Sequence, residues 1–198
     1  MKASQVMKKP FVISISGTSG SGKTTLAQAL MERLGNAAVF HFDSIQADLL
    51  GRDYNAWSEA GADCNEWKLS PITDAIKCML TEPLDYILID YPFGKAHRDV
   101  GEYVDFDVWV DVPLDVALAR RILRDFIRRD TARRPLKEET TEEVATYLDF
   151  YLARHRASYP RHEETVKPFA DLVVDGERTP AETADLVIAK VKACRKTG

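Results

Sequence analysis

The sequence predicts an α/β fold in which a parallel β-sheet is covered by helices on both faces. Short apolar segments alternate with longer segments of helical periodicity along the whole chain, which is the pattern of a parallel sheet with crossover helices. The apolar segments contain few polar residues, as expected for strands that are buried on both faces. The predicted strands are residues 11–16, 37–42, 84–90, 106–112 and 170–175.

The segments between these strands carry the start and stop signals of helices. Residues 24–34 place leucines four positions apart and end before Gly35, a helix stop. Ser70, followed by proline, predicts a helix with the serine as its N-cap. Pro113 opens an arginine-rich helix, and Thr179 forms a capping box with a glutamate three residues later. In such sheets ligands bind beyond the carboxyl ends of the strands, so the residues after each strand are the candidates for function.

Length and composition indicate one domain spanning residues 1–198. Hydrophobic residues make up 45% of the chain, enough for a single core. The sequence has no apolar run near the roughly 20 residues of a membrane span and no recognisable secretion signal. Three cysteines and four histidines show no disulfide or metal-ligand spacing. A net charge of -4 argues against nucleic-acid and anionic-membrane partners. We therefore expect a cytoplasmic protein, and the sequence leaves room for a homo-oligomer.

A glycine-rich segment connects the first predicted strand to the helix that follows it. Its pattern, Gly-x-x-x-x-Gly-Lys-Thr, is that of a phosphate-binding loop, and its position between a strand and a helix is the one the motif requires. Glycines allow backbone N–H groups to surround phosphate oxygens, and the helix directs its positive end at the same anion. Lys23 is expected to reach the outer phosphates and the Thr24 hydroxyl to hold Mg²⁺. The predicted nucleotide-binding residues are Gly17, Thr18, Ser19, Gly20, Ser21, Gly22, Lys23, Thr24 and Thr25.

Aspartates end the second and third predicted strands. If the second strand neighbours the first, Asp43 faces the phosphate loop and can accept the proton of an acceptor hydroxyl. Alternatively, Asp43 caps a helix that begins near Ser44. Asp90 follows four largely apolar residues, which indicates a magnesium-binding acid, or alternatively a residue that caps a turn. Tyr91 then occupies the position where motor-type ATPases usually carry a water-activating glutamate, which favours transfer over hydrolysis.

Seven arginines lie between Arg120 and Arg134. Arg121, Arg124 and Arg128 are three and four residues apart, so they share one side of a helix. Arginines that close over a transferring phosphoryl group neutralise its oxygens and exclude water. The alternative is a solvated helix with Arg–Asp pairs.

Together these motifs resemble the uridine kinase and phosphoribulokinase-like group of P-loop kinases, which includes nicotinamide riboside kinases. The resemblance is carried by residues 17–25, 41–44, 115–125 and 167–174. It implies a P-loop NTPase (nucleoside kinase-like) three-layer fold with a five-stranded parallel sheet. It also implies a short arginine-rich lid at about residues 125–140, with ATP and Mg²⁺ as cofactors.

The same resemblance implies roles for individual residues. Asp43 would be the base that takes the proton of a ribose 5′-hydroxyl. Lys23 and Arg124 would stabilise the transferring phosphoryl group. Thr24 and Asp90 would bind the metal, and Arg121 and Arg129 would bind the acceptor.

Residues 53–67 lie where such kinases often build the acceptor pocket. Trp57 and Trp67 could stack on a nucleobase or a nicotinamide ring, and Asp63 could hold ribose hydroxyls. The alternative is a surface loop with packing tryptophans.

We therefore expect an ATP-dependent kinase that transfers the γ-phosphoryl group to a hydroxyl of a nucleoside-like acceptor, as uridine kinases do. The alternatives within the same class are a nicotinamide riboside kinase-like enzyme and another small-metabolite kinase. The alternative from a different class is a nucleotide-switched P-loop binding protein. A GTPase switch of that kind needs Asn-Lys-x-Asp, and none of the chain's three asparagines is followed by lysine.

Overall fold

The computed structural model of the protein describes residues 8–44, 54–127 and 141–197. Its centre is a five-stranded sheet with the strand order β2-β3-β1-β4-β5, and every strand pair is parallel. The predicted α/β fold with a five-stranded parallel sheet is therefore confirmed. The strands are β1 (Phe11–Ser16), β2 (Ala37–His41), β3 (Tyr86–Asp90), β4 (Phe106–Asp111) and β5 (Leu172–Asp175).

Helices connect the strands. The α-helices are α1 (Lys23–Leu34), α2 (Tyr54–Glu59), α3 (Ser70–Met79), α4 (Arg98–Gly101), α5 (Leu114–Ile122), α6 (Thr141–Phe150), α7 (Arg156–Val166) and α8 (Pro180–Thr197). Two π-helical segments, Leu123–Ile127 and Tyr151–His155, continue α5 and precede α7. Within the described ranges, no helix is both long and apolar enough to cross a membrane.

Two of the predicted helix caps, Ser70 and Thr179, can be compared with the structure. The Thr179 capping box is confirmed, because the backbone N–H of Thr179 donates to Glu182 at 3.1 Å and that of Glu182 donates to the Thr179 hydroxyl at 3.3 Å. The assignment of Ser70 as an N-cap was wrong by one residue. Leu69 is the N-cap, and its carbonyl accepts the first helical hydrogen bonds. The Leu69 side chain is 1% exposed, so burial in the core anchors this helix start without a polar cap.

The sheet lies between two helical layers. On one face α1 and α8 cover an aliphatic core that includes Ile13, Leu30 and Val187. On the other face α2, α3, α4 and α7 cover a second core, which is rich in aromatic residues. Neighbouring residues of β1 contribute to opposite cores, Val12 to the second and Ile13 to the first, because side chains alternate along a strand.

The two tryptophans of segment 53–67 belong to this second core. Trp57 is 3% and Trp67 7% exposed, and their ring centroids lie 5.5 Å apart. Phe93 packs against Trp57 at 5.7 Å and stacks on His162 at 5.6 Å. The structure therefore supports the interpretation of these tryptophans as packing residues. Burial lowers the pKa of His162 to about 4, so this ring is neutral within the aromatic cluster at neutral pH.

An aspartate is also buried in the sheet. Asp107 of β4 is 0% exposed and accepts hydrogen bonds from the Ser16 hydroxyl at 3.2 Å and the Lys95 backbone N–H at 3.2 Å. Burial raises its pKa from 3.8 to about 6, although these hydrogen bonds partly oppose the rise. The native state thus holds this proton at a pH where the unfolded chain has lost it.

We predict that Asp107 makes the protein less stable as the pH rises from about 4 to about 6. A carboxyl whose pKa is raised by folding contributes stability below its unfolded value and loses it through its folded value. Asp107→Asn removes this charge and keeps an acceptor for the Lys95 N–H. The free energy of unfolding is measured in urea at pH 4 and at pH 7 for the variant and the parent. The difference, variant minus parent, should be about 2–3 kcal/mol larger at pH 7 than at pH 4. An equal difference at both pH values would contradict the prediction.

Candidate active site

The phosphate loop joins β1 to α1 at the carboxyl edge of the sheet. Its glycines have backbone angles that favour glycine, with φ of 142° at Gly17, 88° at Gly20 and 105° at Gly22. A Cβ atom at Gly20 would lie 2.4 Å from the carbonyl oxygen of Ala117 in α5, so only glycine allows the loop to pack this closely against that helix. Lys23 begins α1, and its Nζ donates to the Thr18 carbonyl at 2.9 Å. The lysine side chain therefore folds back over the loop.

The charges of two acids and two arginines act on Lys23. Burial lowers the pKa of the ammonium below its usual value, and the negative charges of Asp90 and Asp43 oppose this effect. The positive charges of Arg124 and Arg121 lower the pKa further. These influences place both predicted acids and two of the predicted arginines within electrostatic range of the loop lysine. A cationic site of this kind is suited to a polyphosphate.

Thr24 and Asp90 meet beside the loop. The Thr24 hydroxyl donates to Asp90 Oδ2 at 2.6 Å. Asp90 ends β3, which pairs directly with β1, and its side chain is 8% exposed. A hydroxyl and a carboxylate are hard oxygen ligands, and Mg²⁺ commonly takes only one or two carboxylates together with substrate phosphates. The residues present therefore fit a magnesium ion bound with a nucleotide.

Asp43 lies in the single 3₁₀ turn Phe42–Ser44, directly after β2, and its side chain is exposed. The sequence hypothesis assumed that β2 neighbours β1, and this assumption was wrong. β3 lies between them in the sheet. The negative charge of Asp43 nevertheless acts on Lys23 of the loop, where it opposes the lowering of the lysine pKa. The helix that Asp43 was suggested to cap falls in residues 45–53, outside the described residues.

His41 is a site residue that the sequence analysis did not identify. Its Nδ1 lies 3.0 Å from Asp90 Oδ2, the same oxygen that binds the Thr24 hydroxyl. His41 and Asp90 are register partners at the ends of β2 and β3. The contact depends on which strands are neighbours, and the sequence spacing alone does not indicate this.

The two described arginines of the predicted stripe have different surroundings. Arg121 donates to the Tyr159 hydroxyl at 3.0 Å, and its guanidinium lies 5.3 Å from the centre of the Tyr147 ring. Arg124 is 59% exposed and makes a two-bond ion pair with Asp125, at 2.7 and 3.1 Å. Arg124 thus forms the Arg–Asp pair of the alternative interpretation while it remains close enough to influence Lys23. Arg128 and Arg129 lie outside the described residues, as does the predicted lid beyond residue 127.

Arg120 connects the phosphate loop to the segment after β5. Its Nη1 donates to the carbonyls of Ser21 at 3.3 Å and Gly176 at 3.0 Å. The sequence placed Arg120 in the arginine cluster but off the predicted stripe, so its role was missed. A cavity of about 230 Å³ opens here beside the loop, and its lining includes Ser21, Gly22, Thr25, Arg120, Arg178 and Pro180.

Asp63 has a local structural role. It is the N-cap of the 3₁₀ turn Cys64–Glu66, where its Oδ1 accepts from the backbone N–H of Asn65 at 2.9 Å and from the Asn65 amide at 3.0 Å. These hydrogen bonds lower the pKa of Asp63. The predicted contact of Asp63 with an acceptor stays a prediction.

The chain is similar in sequence to known kinases. Residues 68–154 match the Phosphoribulokinase / Uridine kinase family. A uridine kinase of Halobacterium salinarum is 24% identical, with 92% of this chain and 87% of the relative covered. A uridine kinase of Leuconostoc citreum is 26% identical, with 95% of this chain and 98% of the relative covered.

The fold is also shared with a solved kinase structure. Shikimate kinase from Aquifex aeolicus superposes with a TM-score of 0.52 at 17% identity, covering 95% of this chain and all of that one. The likeness shows the fold, because the sequence identity is low. The predicted P-loop fold and the predicted resemblance to the uridine kinase and phosphoribulokinase family are both confirmed.

Proposed function

We propose that this chain, a uridine kinase-like P-loop kinase, transfers the γ-phosphoryl group of ATP to a hydroxyl of a nucleoside. The observation that carries the proposal is the meeting of three strand ends around Lys23. The phosphate loop follows β1, Asp43 follows β2, and Asp90 ends β3 beside Thr24. The similarity to uridine kinases over nearly the whole chain supports a nucleoside as the acceptor.

The chemistry follows from the residues of the site. The acceptor oxygen forms a bond to the γ-phosphorus, the bond from that phosphorus to the β–γ bridging oxygen breaks, and ADP leaves. The proton of the acceptor hydroxyl passes to a carboxylate of Asp43. Lys23 stabilises the negative charge on the phosphoryl oxygens, and Arg124, in the π-helical segment after α5, stabilises it as well. Arg121 approaches the acceptor.

ATP and Mg²⁺ would be held by different parts of the site. The loop N–H groups and Lys23 would bind the phosphates, and the cavity beside Arg120 adjoins the loop where a nucleotide base can enter. Thr24 and Asp90 would hold the magnesium ion. When bound, the ion neutralises charge on the phosphates.

Transfer is favoured over hydrolysis by the residue after Asp90. Tyr91 is fully buried, and its hydroxyl donates to the Gly94 carbonyl. An uncharged phenol that is already hydrogen-bonded cannot serve as the carboxylate that activates water, and burial raises its pKa well above the usual value. We also place the protein in the cytoplasm, since its three cysteines, Cys64, Cys78 and Cys194, are free thiols.

The test is ADP release with MgATP against a panel of acceptors. The panel contains uridine, cytidine, other nucleosides and nicotinamide riboside, with ribulose 5-phosphate and pantothenate representing other metabolite classes. We expect at least one nucleoside to raise ADP release at least tenfold above the rate without acceptor. A response to a non-nucleoside alone would overturn the nucleoside assignment and keep the kinase. If ATP binds and no acceptor in the panel responds, the nucleotide-switched binding protein becomes the better account.

A further inference from the structure

His41 contacts one acid of the site and precedes the other by two residues. Its ring contacts Asp90 at the end of the neighbouring strand, with Nδ1 3.0 Å from Oδ2. Its backbone carbonyl accepts a hydrogen bond from the Ser44 hydroxyl, which closes the turn that carries Asp43. The imidazole side chain is 30% exposed, so it stands at the mouth of the site and not in either core.

The contacts of Asp90 are concentrated on one oxygen. Oδ2 accepts from both His41 and the Thr24 hydroxyl. An ionised carboxylate has only acceptor oxygens, so the proton in the His41 contact belongs to Nδ1. Within the described residues, no hydrogen bond to Oδ1 accompanies these two, which leaves Oδ1 available to a ligand. Two donors from different elements, α1 and β2, therefore fix the rotation of this carboxylate.

Fixing a carboxylate in this way matters for metal binding. A metal-binding side chain that becomes oriented only when the ion binds loses conformational freedom on binding. A side chain already held in the binding orientation does not. Residues that hydrogen-bond to a metal ligand commonly contribute a factor of about 10–100 to metal affinity. The Thr24 hydroxyl is also predicted to bind the metal through its oxygen, whereas His41 holds the carboxylate without a predicted metal contact of its own.

We propose that His41 is a positioning residue, which holds the Asp90 carboxylate through Nδ1 in the orientation that Mg²⁺ requires when it binds with a nucleotide. The inference rests on the proposed function, since it assumes that Asp90 takes part in a magnesium–nucleotide site. It assigns His41 no contact with the acceptor or the transferring phosphoryl group.

The experiment measures ADP binding by calorimetry, with excess Mg²⁺ and with EDTA, for the full chain and three variants. His41→Ala removes the donor. His41→Asn places an amide nitrogen close to the Nδ1 position, and His41→Gln places it one carbon farther out. We expect Mg²⁺ to strengthen ADP binding in the parent chain and in His41→Asn. In His41→Ala and His41→Gln this strengthening should fall about tenfold, with ADP affinity in EDTA changed less than twofold.

Three other outcomes would contradict the role of His41 or the magnesium site, and a folding control covers the alanine variant. If His41→Ala keeps the full effect of Mg²⁺, or if Asn is no better than Gln, His41 does not position Asp90. If ADP binding weakens equally with and without Mg²⁺, His41 supports the fold of the loop and not the metal site. If His41→Ala does not fold in thermal unfolding controls, the Asn and Gln variants carry the comparison. If the parent chain binds ADP without any effect of Mg²⁺, the magnesium part of the proposed function fails as well.

Discussion

Replacing Lys23 with methionine is expected to lower turnover about 10²–10³-fold with the best acceptor of the panel, the loss typical of removing one electrostatic donor to a transition state. Methionine is close to lysine in length and keeps the helix start, but it has no charge. Lys23 is partly buried, and its Nζ already bends over the phosphate loop onto the Thr18 carbonyl. The ammonium is therefore in place to meet the phosphates without a large movement of the chain.

The measurement is steady-state ADP release with saturating acceptor and varied MgATP. Lys77→Met is the matched control, because Lys77 is an exposed lysine of α3 paired with Asp74 at 3.4 Å; its turnover should stay within twofold of the parent. Lys23→Arg tests geometry, since a guanidinium keeps the charge but is planar and larger; we expect it to recover less than a tenth of the activity. Turnover in Lys23→Met equal to that of the Lys77 control would exclude Lys23 from the chemistry.

The fold could be predicted because its signals are local. A short, largely apolar run indicates a strand without reference to the rest of the chain, and all five strands were predicted from such runs. The phosphate loop is equally local. Gly20 and Gly22 have positive φ, which glycine adopts at little cost, and the motif places them at fixed distances from Lys23.

Contacts between strands were harder to predict, because the spacing of strands along the sequence does not determine their order in the sheet. β2 is second in the chain but lies at an edge of the sheet, separated from β1 by β3. This order brings His41 beside Asp90, and a reader of the sequence has no means to pair them. The role of Arg120 was missed for a similar reason, since its partner Gly176 lies 56 residues farther along the chain.

The tryptophans illustrate a different limit. An aromatic ring in a loop is suited both to stacking on a ligand and to packing in a core, and composition does not separate these uses. Which use a ring has depends on whether the fold brings other aromatic side chains next to it. Phe93 and His162 come from distant segments and complete an aromatic cluster with Trp57 and Trp67, so the rings are used for packing.

Replacing Asp43 with asparagine is expected to lower turnover about a hundredfold or more, which is the usual loss of a general base, and to leave ATP binding nearly intact. Asparagine has the size of aspartate and suits the same turn, but its amide cannot take the proton of an attacking hydroxyl. The side chain of Asp43 is exposed, and the residues proposed to hold the metal are Thr24 and Asp90, so the donor nucleotide should bind as before.

Single-turnover phosphoryl transfer and equilibrium binding of ATP separate these two effects. Asp63→Asn is the matched control, because Asp63 is another exposed aspartate whose contacts are to a local turn. If Asp63 contacted the acceptor as first predicted, its variant would raise the KM for the acceptor and leave transfer at saturation unchanged. Normal transfer in Asp43→Asn would remove Asp43 from the mechanism. The proton of the acceptor hydroxyl would then have to pass to another acceptor, because the hydroxyl must still lose it as the phosphoryl group arrives.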